Sequence, residues 1–119
     1  MTRLERLESE QNIWLATTRP DGRPHLVPIW FVWVNEAFYI CTERKSVKAR
    51  NLRLNPRACV ALESGAQPIL AECHASLIEQ PYPAEVTAAF FAKFEWDITT
   101  DQQYNILIAL HPQRWVMKG

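Results

Sequence analysis

Short apolar and aromatic segments, separated by turn residues, recur along the whole chain. Most are five to ten residues long, which is the usual length of a strand. The predicted strands are 13–18, 25–34, 37–41, 58–63, 69–78, 104–110 and 114–117. Six or seven short strands joined by hairpin turns predict a mainly β fold, in which an antiparallel sheet closes into a barrel with two or three flanking helices. The 119 residues are the length of one domain.

Turn residues flank the longest apolar segment, 25–34. Before it, the run from Arg19 to Pro24 combines a Pro that presets φ with a Gly that tolerates positive φ. After it, Asn35 and Glu36 turn the chain into the next strand. Pro28 lies inside the segment and has no N–H to donate to a ladder. We therefore expect a sheet edge, a bulge or a local break at Pro28.

Three segments are predicted to be helical. Thr2 and Glu5 have the spacing of a capping box, which opens a short first helix. Residues 84–94 are rich in Ala and Phe and form a later helix. The middle helix starts at Ser46, an N-cap residue, and stops before Pro56, which has no N–H and restricts the residue before it.

The middle helix is also the basic segment of the chain. Six of the 13 Lys and Arg residues lie between Arg44 and Arg57, with no Asp or Glu among them, although the formal net charge is zero. Free N–H groups at a helix start, its partial positive charge and nearby cations together favour a phosphate site. The alternative is a short helix whose basic residues only face solvent.

Apolar residues lie on two sides of this helix. In projection Val47 and Leu54 share one side, and Ala49 and Leu52 lie nearly opposite. A surface helix normally has one apolar stripe. The second side therefore indicates contact with something besides the helix's own sheet.

Several classes of protein are disfavoured by composition. No apolar run approaches the roughly 18 residues of a membrane span, and the charged start of the chain is not typical of a signal peptide. Three Cys without Cys-x-x-Cys spacing and three scattered His predict neither a disulfide framework nor a metal site, and fit a cytoplasmic protein. No Gly-rich phosphate loop or nucleophile elbow is present. The zero net charge argues against a nucleic-acid partner.

Ordered motifs along the chain resemble a known family. They are Asp-Gly-Arg-Pro ending at Pro24, Pro-x-Trp from Pro28 to Trp30, and Ser-x-Lys-Ala-Arg-Asn-Leu-Arg-x-Asn-Pro-Arg from Ser46 to Arg57. With segments 94–97 and 111–115, they make nearly the whole chain similar to the pyridoxamine 5′-phosphate oxidase-like, FMN-binding split-barrel proteins. The resemblance is strongest to their small branch of flavin- or deazaflavin-dependent reductases. It implies a split barrel and a homodimer with a flavin in each of two interface clefts.

The resemblance also implies roles for residues. Thr42, Ser46 and Lys48 match the segment that grips the flavin phosphate and ribityl chain. Arg44, Arg50 and Arg53 are nearby cations that would help to bind it. Pro28, Ile29 and Trp30 match the strand whose backbone would face the flavin ring edge. Aromatics such as Trp30 or Trp96 would edge the substrate pocket. For every one of these residues a purely structural role is the alternative.

The chain departs from the pyridoxamine phosphate oxidases proper. Val47 stands where they carry an Arg before the phosphate-gripping Lys, the 25–30 strand is almost wholly apolar, and no C-terminal Arg motif is evident in 111–119. We therefore expect hydride transfer to or from another small organic substrate. A flavin would carry the redox chemistry, so no catalytic side chain is named.

Other functions stay open at this stage. A deazaflavin coenzyme, whose long acidic tail also needs a cationic groove, is the alternative cofactor. A flavin-binding protein without turnover is a further possibility. A nucleic-acid-binding module, using basic residues and stacking Trp side chains, is another.

Overall fold

The computed structural model describes residues 1–118 as one antiparallel sheet of seven strands with three helices. The elements in chain order are α1 Arg3–Ser9, β1 Asn12–Thr18, β2 Pro24–Trp30, β3 Val32–Val34, β4 Ala37–Thr42, α2 Val47–Leu54, β5 Arg57–Leu62, β6 Ile69–Ile78, α3 Ala84–Phe94 and β7 Ile106–Lys118. The predicted fold class is confirmed. Of these helices, none is long and apolar enough to cross a membrane.

The sheet curls around its core but leaves a gap between its two edges. The strand order is β2-β1-β5-β6-β7-β4-β3, so β2 and β3 are edge strands although they follow one another in the chain. Residues from both halves of the sheet, including Leu15, Ile40, Val60 and Ile108, meet in one buried cluster. A second buried cluster, which includes Val86 and Phe90 of α3, lies over the β3–β4 part.

The long apolar segment 25–34 is two strands, and the break lies at Phe31, not at Pro28. The Phe31 side chain is fully buried, and its N–H donates to the Gln11 carbonyl oxygen at 3.1 Å. Burying this ring turns the chain from one edge of the sheet to the other. Pro28 stays inside β2, an edge strand, opposite Trp14. Of the three outcomes predicted for Pro28, the sheet edge is therefore confirmed.

The two predicted C-terminal strands are one strand, β7, which pairs along its length with β6. Register shifts interrupt the pairing, and they leave Gln113 and Val116 without a partner. The first of these lies directly after Pro112. A bulge accommodates a residue that cannot complete the ladder, so the strand continues through a site predicted to end it.

Local signals placed the helices and turns correctly. Thr2 and Glu5 form the reciprocal capping box at 3.1 Å. The turn residues adopt positive φ, with Asn35 at 49°, Glu36 at 64° and Gly22 at 90°. Type I′ turns and glycine-containing turns require positive φ at these positions.

Helix α2 is seated on the sheet by one apolar side and one buried polar pair. Ala49 and Leu52 are fully buried, whereas Val47 is 38% and Leu54 71% exposed. The second apolar side therefore faces away from the sheet, as the projection predicted, and its contact with another molecule stays a prediction. The Asn51 amide Nδ2 donates to the Thr17 hydroxyl of β1 at 3.0 Å, and both residues are buried.

We expect Asn51→Leu to lower the free energy of unfolding by roughly 1–3 kcal/mol, because the Thr17 hydroxyl is left buried without its donor. Urea unfolding of this variant, of Thr17→Val and of the double variant measures the pair. The double variant should cost less than the sum of the single costs. Strictly additive costs would contradict an energetic link between the two residues.

Candidate functional site

A cavity of about 750 Å³ opens at the gap between the two halves of the sheet. It lies where edge strand β2, the end of β4, the start of α2 and the connection before β7 meet. The lining residues are Asn12, Pro28, Ile29, Trp30, Cys41, Thr42, Glu43, Ser46, Lys48, Trp96, Asp101 and Tyr104. This volume is in the range of pockets that hold a cofactor or a drug-sized molecule.

The start of α2 supplies a cation with no protein partner. The Ser46 hydroxyl accepts from the Ala49 N–H at 3.3 Å, which leaves the Val47 and Lys48 N–H groups without an intrahelical acceptor. Among residues 1–118, the Lys48 ammonium makes no hydrogen bond or salt bridge, although the Glu43 carboxylate is near enough to act on its charge. Partial burial lowers the pKa of Lys48. A half-buried ammonium beside free helix N–H groups is suited to binding an anion.

Thr42, Ser46, Lys48, Pro28, Ile29 and Trp30, all predicted from the sequence, line this cavity together. The three arginines of the prediction lie outside it. The Arg44 guanidinium donates twice to the Glu79 carboxylate, at 2.6 and 2.7 Å, and the hydrogen bond raises the pKa of Arg44. Arg53 donates to the Arg44 carbonyl oxygen at 2.9 Å, and Arg50 is exposed. Their assignment as cofactor ligands stays a prediction, and the contacts of Arg44 and Arg53 are structural.

The β2 side of the cavity offers unpaired backbone. As an edge strand, β2 pairs only with β1, so half of its backbone groups have no ladder partner. Pro28 has no N–H, so carbonyl groups and the N–H groups of its neighbours are what this strand presents. Such an edge can hydrogen-bond the polar rim of a planar ligand.

Aromatic rings form the wall that runs from Trp30, at the end of β2, to the connection before β7. Trp30 stacks on Phe94 with ring centroids 4.3 Å apart and planes 5° from parallel. Trp96 meets the edge of Trp30 at 6.4 Å and that of Tyr104 at 5.7 Å. Stacked and edge-to-face contacts of this kind hold rings in fixed orientations. The wall is therefore rigid and apolar.

Sequence reasoning missed Asn12, Cys41, Glu43, Asp101 and Tyr104 as lining residues. Asp101 and Tyr104 belong to the connection before β7, which docks against the end of β4. The Tyr104 carbonyl oxygen accepts from the Cys41 thiol at 3.5 Å, and the Gln103 amide donates to the Glu43 carboxylate at 2.7 Å. No spacing in the sequence signals these long-range contacts. Burial raises the pKa of Cys41 to about 12, so this thiol is protonated at neutral pH.

Lys93 holds the aromatic wall to the break between β2 and β3. Its ammonium donates to the Phe31 carbonyl oxygen at 2.9 Å and lies 4.1 Å from the centre of the Phe31 ring. The next residue, Phe94, is the ring on which Trp30 stacks. Burial lowers the pKa of Lys93 to about 8.

The comparisons with known proteins agree with this fold. The family profile described as pyridoxamine 5′-phosphate oxidase matches residues 3–118. The chain therefore belongs to the pyridoxamine 5′-phosphate oxidase family, and its barrel is the split barrel of that family. Among curated proteins, none matches the chain significantly.

Solved structures extend the likeness over almost the whole chain. HutZ, a heme storage protein from Vibrio cholerae, has a TM-score of 0.79 at 25% identity, covering 98% of this chain and 89% of its own. An F420 reductase has a TM-score of 0.75 at 21% identity, covering 93% of each chain. A putative pyridoxamine 5′-phosphate oxidase from Listeria innocua has 0.76 at 21%, covering 96% and 93%. One fold thus serves proteins named for different ligands.

We expect Lys93 to make stability depend on pH. The pKa of Lys93 is about 8 in the folded chain and 10.5 for an unperturbed lysine, as in the unfolded chain. Between these two pH values the unfolded chain therefore binds more protons than the folded chain. The contribution of Lys93 to the free energy of unfolding therefore rises as pH increases through this window. Urea unfolding of wild type and Lys93→Met across the window measures it. A difference between the two proteins that is constant with pH would contradict this prediction.

Proposed function

We propose that this chain is an FMN-binding oxidoreductase, which transfers hydride to or from a small organic substrate. The observation that carries the proposal is the Lys48 ammonium at the start of α2, which has no hydrogen-bond partner among residues 1–118 and shares its cavity with a rigid aromatic wall and an unpaired strand edge. These features match the phosphate, the ring face and the polar ring edge of a flavin. The family and a similar structure named as an F420 reductase support redox chemistry.

Different residues of the cavity fit different groups of the cofactor. Lys48, Ser46 and the free N–H groups of α2 would hold the phosphate. The β2 edge at Pro28–Trp30 would hydrogen-bond the ring edge, and Trp30 would lie against the ring system. A bound flavin supplies hydride transfer, and the protein supplies position and exclusion of water.

Oxidation of pyridoxamine phosphate itself is not the activity we propose. Such a substrate brings a second phosphate, which needs cations beyond the one that holds the cofactor. Lys48 is the one cation among the described residues that line the cavity. Val47, next to it, is apolar and partly exposed.

A deazaflavin coenzyme is the alternative cofactor, since its ring and phosphate would meet the same groups. Its acidic tail would need further cations near Lys48. Arg44 is already paired with Glu79, and Glu43 adds a carboxylate to the cavity. These charges favour FMN over the deazaflavin coenzyme.

Heme is favoured less, although HutZ is named as a heme storage protein. Heme iron takes a His, Cys, Met or Tyr ligand from the protein. Within residues 1–118 the cavity is lined by no His or Met, and the Cys41 thiol is held protonated by burial. Tyr104 is the remaining lining residue of a ligand type.

We also propose that two copies of the chain associate through the outer face of the sheet. Strand register places apolar residues side by side across five strands, in the order Pro28, Trp14, Ala61, Leu70 and Met117. Trp14 is 41% exposed, and Leu26 in the adjacent row is 60% exposed. A contiguous exposed apolar patch is typical of a protein–protein interface.

The position of this row supports a homodimer with its cofactor sites at the interface. Pro28 at one end of the row also lines the cavity, as does Trp30, two residues further along the same face of β2. A second copy seated on the row would therefore border the cavity. The site would then be enclosed from water more fully than one chain allows.

The contacts of the basic segment and the state of the cysteines bear on the binding partner and the cellular compartment. We propose a small-molecule substrate rather than a nucleic acid, because Arg44 and Arg53 of the basic segment are engaged within the chain. All three cysteines are free, which fits a reducing, cytoplasmic setting.

The first test is the visible absorption spectrum of purified protein after FMN is added and unbound FMN is removed. We expect flavin absorption to stay with the protein. A protein that releases FMN but retains the deazaflavin coenzyme in a parallel experiment would overturn the cofactor assignment. Retained heme absorption with no flavin bound would overturn the redox proposal itself.

Lys48→Ala should weaken FMN binding by about 1–3 kcal/mol, the usual contribution of a hydrogen bond to a charged group. Quenching of flavin fluorescence during titration gives the dissociation constant. Lys45→Ala is the matched control, because Lys45 is an exposed cation just before the same helix and does not line the cavity. Equal FMN affinity in wild type and Lys48→Ala would contradict the phosphate assignment.

Trp14→Glu should convert the dimer to a monomer, because it places a charge in the middle of the apolar row. Sedimentation velocity at micromolar concentration measures the state of association. Phe91→Glu is the control, since Phe91 is 59% exposed on α3, which packs against β3 rather than on this face. A wild type that sediments as a monomer would remove the proposed interface.

A further inference from the structure

The charges that line the cavity are unevenly matched. Among the described lining residues, Lys48 is the one cation, whereas Glu43 and Asp101 both carry carboxylates. Under the proposed function, the cofactor phosphate binds the Lys48 ammonium and neutralises its charge. Within the described residues of one chain, the remaining space then has no positive group to offer a second ligand.

Asp101 is held rigidly in its charged form. Its carboxylate accepts from the Tyr104 N–H at 2.8 Å, the Gln103 N–H at 3.0 Å and the Trp96 indole N–H at 3.0 Å. The backbone hydrogen bond from Tyr104, first of these, lowers the pKa of Asp101. The charge is therefore present at neutral pH and fixed in place.

Two aromatic residues donate hydrogen bonds to this carboxylate. Trp96 and Tyr104, both hydrogen-bonded to Asp101 through a ring or backbone N–H, meet edge to face at 5.7 Å. The faces of Trp and Tyr carry partial negative charge, which attracts cations and accepts flat apolar rings. An anionic ligand meets repulsion from the rings and from the carboxylate together.

We propose that this part of the cavity selects a neutral or cationic aromatic substrate and rejects an anionic one, with Asp101, Trp96 and Tyr104 as the residues that set this preference. The inference rests on the proposed function in one respect, namely that the cofactor phosphate occupies Lys48. It names the chemical class of the substrate at the same site. It also agrees with the absence of a second phosphate subsite among the described lining residues.

Three bicyclic probes of nearly equal size test the preference: N-methylquinolinium as the cation, 2-naphthalenemethanol as the neutral compound and 2-naphthoate as the anion. Isothermal titration calorimetry with FMN-loaded protein gives each dissociation constant. We expect the cation and the neutral probe to bind on the order of tenfold more tightly than 2-naphthoate, from the repulsion between like charges in a partly buried site. Binding of 2-naphthoate as tight as that of the neutral probe would overturn the proposal.

Charge-neutral variants locate the effect. Asp101→Asn should narrow the difference between the cationic and anionic probes at least several-fold. Asp97→Asn is the matched control, because Asp97 lies in the same connection, does not line the cavity and bonds only to Thr99 and Thr100. If Asp101→Asn does not fold, Glu43→Gln replaces it and should narrow the difference in the same direction. If the folded variant binds the cationic and anionic probes with the same difference in affinity as wild type, the role of these carboxylates is refuted.

A failure of the proposed cofactor is distinguishable from a failure of this inference. If the protein does not retain FMN, the cofactor proposal fails, and the three probes are titrated into FMN-free Lys48→Met protein. That variant lacks the cavity's ammonium, so the same order of affinities is expected without any cofactor. Tight 2-naphthoate binding to Lys48→Met would refute the inference on its own.

Discussion

The buried side chain of Phe31 is the constraint on which the candidate site depends. It interrupts a continuous apolar segment and sends its two halves, β2 and β3, to opposite edges of one sheet. Because the edges do not pair, the barrel stays open at this point, and the cavity lies in the gap. Lys93 bonds the Phe31 carbonyl oxygen, and the adjacent Phe94 supports Trp30. The opening and its aromatic wall thus share one anchor.

The basic segment serves two purposes that its sequence does not separate. Arg44 and Arg53 stabilise the junction of β4, α2 and the connection before β7 through Glu79, Asn105 and a backbone carbonyl. Lys48 has no such partner among the described residues and faces the cavity. The contacts around a cation, more than its position in a basic run, decide whether its charge is available to a ligand.

Most elements could be predicted because their signals are local. Alternating apolar residues, the capping box at Thr2 and the positive-φ turn at Asn35 act within a few residues. The errors came from tertiary effects. The predicted strand 25–34 broke at Phe31, whose side chain is buried, and Pro112 was absorbed by a bulge against β6. Neither the partner strand nor the burial of Phe31 is visible in local sequence. In the same way, Lys48 and Trp30 were predicted as site residues from motifs, whereas Asp101 and Tyr104 were not, since long-range docking brings them to the cavity.

The sequence by itself determined the strand and helix pattern, the cationic start of α2 and the membership of a family, because these depend on short-range backbone preferences and on ordered motifs. Only the tertiary structure decided which cation faces the cavity, which carboxylates share it and which apolar residues form the exposed row across five strands. These properties depend on distances between residues far apart in the chain. Electrostatic and hydrophobic interactions act through space, so the fold, and not the order of residues, sets them.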